Sequence, residues 1–221
     1  MKQGIDISNF TSPLTAEQVA FIEANCSFAI IGLQSAGIAL AQQSQLQNVQ
    51  RMYYVDKLGR NLAIPEPDAV VAIDIESGCF TDDGDVVSEI ATEIAHGLQV
   101  AVYGNRNSIP PVIGDSTALA LYPLWYADYR DPGDWSSFVP FNGWAKPWIW
   151  QYSSGGEFGI NCDLDEEEDV PTPITQPTEE QALEALIKAG AIIIAGDQNL
   201  ADLDEVSKNA IRWVAEQVGA S

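Results

Sequence analysis

VVAIDIESG, residues 70–78, is the stretch from which the architecture can be read. Side chains of an extended strand alternate between two faces, so Val70, Ala72, Asp74 and Glu76 share one face and Val71, Ile73 and Ile75 the other. The wholly apolar face is what helices cover in a parallel sheet. The mixed face runs from apolar residues to two carboxylates at its C-terminal end, just before Ser77-Gly78 turns the chain. Parallel α/β barrels place their active sites at that end of their strands.

Working outward, GIDIS (4–8) repeats the pattern, with Gly4, Asp6 and Ser8 on one face and Ile5 and Ile7 on the other. Further β-rich runs lie at 28–34, 52–55, 99–104, 124–127 and 148–152. Between them Thr15 and Gln18 stand at capping-box spacing, with Leu14 and Val19 at staple spacing, and predict a helix start. A second helix is predicted over 86–96, with Val87, Ile90, Ala91 and Ile94 on one face. Strands separated by helices imply parallel pairing. The segments 56–68 and 109–121 are poor in helical pattern, so the expected fold is α/β: an irregular (β/α) barrel of TIM-barrel type with reduced helices.

The barrel is expected to occupy residues 1–168, followed by an acidic and Pro/Thr-rich linker over 169–178 and a small C-terminal helical tail over 179–221. The run DLDEEED (163–169) reads as solvated linker. In the tail, Thr178 with Gln181 caps one helix, and 202–218 forms a second amphipathic helix suited to docking, oligomerisation or assembly.

The chemistry is bounded by composition. The 221 residues hold 10 Lys+Arg against 32 Asp+Glu, a net charge of −22, which repels phosphate backbones and leaves nucleic acid out as a partner. One histidine, His96, excludes multi-His metal sites and Ser-His-Asp machinery, and its place at a helix C-terminus suits a structural role. Asp82-Asp83-Gly84-Asp85 misses calcium-loop spacing and suits a helix cap, so neither metal nor cofactor is expected. Cys26, Cys79 and Cys162 read as small buried hydrophobes in a reducing compartment. No apolar run approaches membrane-spanning length, and MKQGIDISNF has no apolar core of an export signal. Carboxylates remain as the reactive groups. Trp148, Trp150 and Tyr152 alternate with Ile149 and Gln151, and aromatic faces beside carboxylates suit a sugar, whose apolar faces stack on rings.

In this order, GIDIS (4–8), AIDIESG (72–78), AVYGN (101–105), LWYADY (124–129) and WQYSSGGEFGINCDLD (150–165) resemble glycoside hydrolase family 25, the N-acetylmuramidase lysozymes. The resemblance covers about residues 3–165. It implies Glu76 as general acid, Asp74 as its assisting partner, and Asp6 and Asp163 as further acids of the site. Tyr103, Trp125 and Tyr152 take the positions that shape a sugar groove, and Trp150 and Tyr54 are further candidates for substrate contact. The chain departs from the family at MYYVDKLG (52–59), where a Tyr-His pair is usual and Tyr53 or Tyr54 stands instead. LQSAGIALAQQSQLQN (33–48) lacks the usual acidic and aromatic pattern, and CDLD replaces VDLN, leaving Asp165 as a rival of Asp163.

The resemblance implies a peptidoglycan-cleaving hydrolase, retaining through the substrate's own N-acetyl group, that acts on peptidoglycan glycan strands without membrane insertion. Like-charge crowding is expected to keep Glu76 protonated toward neutral pH. The alternative is a non-catalytic glycan-binding or structural module on the same scaffold. Localisation stays open between a phage lysin, a virion component and a bacterial protein acting at the cell wall.

Overall fold

The computed structural model describes residues 1–8, 10–11, 13–56, 64, 66, 69–76, 78, 80–129 and 134–168. The expected linker and helical tail therefore lie outside the described residues, as do Ser77 and Cys79.

Eight strands close into one barrel in sequence order: β1 (Lys2–Ile7), β2 (Phe28–Gly32), β3 (Gln50–Val55), β4 (Val70–Asp74), β5 (Gln99–Gly104), β6 (Leu124–Ala127), β7 (Ile149–Ser153) and β8 (Asp163–Glu167). The pairings from β1 through β7 are parallel. β8 runs antiparallel to both β7 and β1. The parallel pairing expected of the seven β-rich runs holds. One expectation is corrected: DLDEE is an eighth, closing strand rather than solvated linker, which makes the barrel mixed, with Asp165, Glu166 and Glu167 all buried. The acids tolerate a strand because each finds a donor: Lys2 and Trp148 on Glu167, Gln3 on Glu166 and Trp125 on Asp165.

The alternation read from β4 holds in three dimensions. Val71, Ile73 and Ile75 join the outer core against the helices, while Val70 and Ala72 join Phe28, Ile30, Met52, Tyr54, Ala101, Tyr103, Trp125 and Ile149 inside the barrel. Gly4 points into this interior, where a Cβ would lie 2.1 Å from the Phe28 ring, so the glycine makes room for the phenylalanine.

Among the described residues the helices are fewer and shorter than a full barrel carries. α1 (Ala16–Asn25) starts at the expected capping box, with Thr15 Oγ1 accepting from Gln18 N at 3.3 Å and Gln18 Oε1 from Thr15 N at 3.0 Å. α2 (Ala36–Gln45) was not foreseen from pattern, because its buried face includes Gln42 and Gln43 rather than an apolar stripe. Its glutamines hold the β1–α1 connection instead: Gln42 donates to Ser8 O, and Gln45 both donates to and accepts from the Leu14 backbone. α3 (Asp83–Ala95) is capped by Asp82, which accepts from Asp85 N at 3.0 Å, and His96 is its C-cap. Between β5 and β6 only a five-residue helix, α4 (Ile109–Ile113), and a 3-10 turn over Ala118–Leu121 are present, in line with the helix-poor reading there.

Candidate active site

The mouth of the barrel is formed where β1, β4 and β5 end and β8 begins. β1 delivers Asp6 and β8 delivers Asp163 directly across from it in register. β4 delivers Asp74, paired in register with Tyr103 of β5, and Glu76 follows two residues beyond the strand on the same face. The Glu76 backbone N–H donates to Asp74 Oδ1 at 3.1 Å, which fixes the two acids relative to one another.

Gln151 of β7 ties these groups together. Its Nε2 donates to Asp6 Oδ2 at 2.7 Å and to Asp163 Oδ2 at 3.2 Å. Its Oε1 accepts from Tyr103 Oη at 2.9 Å and from Tyr129 Oη at 3.3 Å. Tyr103 Oη also lies 3.4 Å from Glu76 Oε1. Beneath this ring Trp125 packs against Tyr103 at a centroid distance of 4.2 Å and edge-on against Tyr54 at 5.9 Å, forming the floor. Trp125 Nε1 donates downward to Asp165 Oδ1 at 2.7 Å.

Asp6, Asp74, Asp163, Glu76, Tyr103, Tyr54 and Trp125 thus converge; of the two acids of CDLD, Asp163 stands at the mouth and Asp165 one inward position deeper. Trp150 and Tyr152 do not join them. Strand alternation that turns Ile149 and Gln151 inward turns Trp150 and Tyr152 outward. Trp150 packs edge-on against Tyr126 and Trp135 and donates to Asp128 O, while Tyr152 Oη donates to Gln3 on the barrel's outer wall. Both positions are corrected accordingly. Two residues of the site went unnamed in the sequence. Gln151 sits on the inward parity of β7, and Tyr129, 57% exposed at the rim, continues the inward parity of Trp125 and Ala127.

Crowded, buried carboxylates resist ionisation. Burial, then the neighbouring Asp163, push Asp6 up to about 7 against the opposing hydrogen bond from Gln151. Burial, then Glu76, push Asp74 up to about 8. Asp163 is raised by burial and by Glu76, and Asp165 is raised well above the carboxylate range by burial and by Asp6. Burial, then the acids beside them, raise the phenols of Tyr54 and Tyr103 as well, so both are hydrogen-bond donors at any working pH. Among the described residues no group of His, Cys, Asp or Glu is arranged to hold a metal ion. No described helix is long and apolar enough to cross a membrane. A cavity of about 280 Å³ lined by Tyr122, Leu124, Trp144 and Trp148 opens at the opposite, N-terminal end of β6 and β7, and no carboxylate lines it.

The arrangement offers protonated and ionised carboxyls in one partly exposed cleft with phenol donors around them, a set suited to acid-assisted cleavage of a glycosidic bond. No protein-family model matches the chain. Its sequence is similar to Counting factor 50 of Dictyostelium discoideum, 39% identical over 103 residues, covering 42% of this chain and 34% of that protein. It is also similar to Probable GH family 25 lysozyme 2 of the same organism, 38% identical over 71 residues, covering 32% of this chain and 34% of that protein. The chain spans about a third of the length of these curated relatives. Among solved structures, the muramidase from Trichobolus zukalii has the same fold, with a TM-score of 0.58 at 16% identity over 76% of this chain and 94% of that one.

Proposed function

We propose that the chain, similar over part of its length to GH family 25 lysozymes, belongs to glycoside hydrolase family 25 and that its barrel mouth is the active site of an N-acetylmuramidase that cleaves the glycan backbone of peptidoglycan. The observation that carries this reading is the convergence of Asp6, Asp74, Glu76 and Asp163 around Gln151 and Tyr103 at the C-terminal end of the parallel strands.

Glu76, partly exposed beyond β4, is the general acid that protonates the glycosidic oxygen as the bond to the leaving sugar breaks. The substrate's acetamido oxygen attacks the anomeric carbon, and water then opens the cyclic intermediate with Glu76 as base, which retains configuration. Asp74, anchored by the Glu76 backbone N–H, orients the acetamido group and stabilises its developing positive charge. The ionised form of Asp74, which gains population as pH approaches about 8, interacts strongly with such a charge because little water screens it at this depth. Tyr103 steadies Glu76 from the side, and Tyr129 at the rim offers an exposed ring face to a sugar.

A second reading has one observation in its favour: the net charge of −22 opposes the approach of an enzyme to an anionic cell wall. On that reading the cleft binds glycan without cutting it. Wall-suspension clearing and sedimentation with insoluble peptidoglycan, run on wild type and Glu76→Gln, separate the two. Clearing by wild type with binding but no clearing by the variant supports the enzyme. Binding by both with clearing by neither supports the module, and no binding by either folded protein overturns both.

A further inference from the structure

Asp165 is fully buried, on the inward parity of β8, one position below the mouth. Trp125 Nε1 satisfies its Oδ1 at 2.7 Å, while its Oδ2 is buried and receives no donor. Its cross-strand partner is Gly4, which has no side chain to offer, and the next inward residue on β1 is Asp6. The register sets the Asp165 and Asp6 carboxyls side by side on the inward face, close enough that the charge of Asp6 strengthens the hold of Asp165 on a proton. Two ionised carboxylates have no proton between them to share, so one of the pair is neutral. Asp6 already accepts from Gln151 Nε2 at 2.7 Å and lies nearer solvent, which favours charge on Asp6 and the proton on Asp165.

The geometry points to Asp165 as a proton-holding positioning residue: its neutral carboxyl, held by Trp125 from one side, donates to Asp6 and fixes the Asp6 carboxylate beneath the cleft. This rests on the muramidase reading only for its effect on turnover. The groups facing the pair include Tyr54 from β3, Asp74 and Glu76 from β4, Tyr103 from β5, Trp125 from β6 with Tyr129 beyond it, Gln151 from β7, and Asp163 from β8 with Cys162 before it. The next inward layer down holds the Lys2–Glu167 ion pair, whose two charges offset one another. Asp165 acts through Asp6, and the hydrogen bond it gives opposes the uptake of a proton by Asp6.

Infrared difference spectra of wild type and Asp165→Asn at neutral pH read the protonation state directly. A buried protonated-carboxyl band that disappears in the variant is the expected result, and no such loss overturns the proposal whether or not the protein cuts glycan. For turnover, Asp165→Ala is expected to lower kcat about 10- to 100-fold at unchanged KM, as displaced reacting groups do. It is also expected to move the acid limb of the pH–rate profile upward, because Asp6 then holds its proton to higher pH. Asp165→Asn supplies the same donor to Asp6 and the same acceptor to Trp125, so it is expected to restore kcat. Equal loss in both variants, or no loss in a folded Asp165→Ala, overturns the positioning role. If wild type fails to cut peptidoglycan, the muramidase reading falls while the infrared measurement still decides the proton's place.

Discussion

Gln151 carries more of the site's geometry than any one acid. One amide donates to two carboxylates and accepts from two phenols, so its loss leaves Asp6 and Tyr103 short of partners in a buried setting. Gln151→Met, close in volume, is expected to cost about 1–3 kcal/mol by leaving buried polar groups unmatched. It should also lower kcat more than it raises KM, which denaturation midpoints and steady-state kinetics check. The raised carboxyls give a pH signature of definite sign. Asp6 and Asp74 bind protons more tightly folded, at about 7 and about 8, than in the unfolded chain, where an aspartate titrates near about 3.9. Their contribution to stability is fully present below the unfolded value and is lost as pH rises through 7 to 8. Urea midpoints at about pH 5 and about pH 9 should fall with rising pH, and Asp74→Asn should reduce the difference. A midpoint that rises over this range would contradict the account. At this scale the acids of β1 and β4 were legible because parity and an apolar-to-acidic gradient coincide in both strands. Trp150 and Tyr152 were not legible as outward residues from their aromatic chemistry; strand parity sets their direction and assigns the inward positions to Ile149 and Gln151.

Among the elements, β8 and α2 show where pattern reading runs out. DLDEE has no apolar alternation, and its strand exists because Lys2, Gln3, Trp125 and Trp148, all distant in sequence, supply donors to its acids. α2 buries glutamines whose partners are backbone groups of another loop, a pairing invisible in the local sequence. By contrast the α1 capping box and the Asp82 cap are short-range, and both appear where spacing placed them. Close packing at β1 yields a test. Gly4→Ala must displace the Phe28 ring that a Cβ would meet at 2.1 Å, and such overpacking costs about 1–3 kcal/mol. A lower urea midpoint with an unchanged m-value is the expected reading, and an unchanged midpoint would contradict the packing described.

For the whole molecule, closure of the sheet makes the site. Antiparallel β8 brings Asp163 to the top of the barrel beside Asp6, so the last strand completes a cluster begun by the first. The chain's net charge of −22 opposes its approach to an anionic cell wall, and salt screens that repulsion over a Debye length of about 10 Å at 0.1 M. Activity on intact walls is therefore expected to rise with added salt over a range in which activity on a small uncharged chitooligosaccharide stays level. Equal salt dependence on both would place the effect in the site rather than in the encounter. Glu76 as proton donor to a muramidase cleft is the central claim. Its most direct test is mass spectrometry of muropeptides released from purified peptidoglycan by wild type and by Glu76→Gln. New reducing ends at N-acetylmuramic acid, formed by wild type and absent with the variant, are the predicted result. Reducing ends at N-acetylglucosamine, equal release by the variant, or no release by a folded wild type would contradict it.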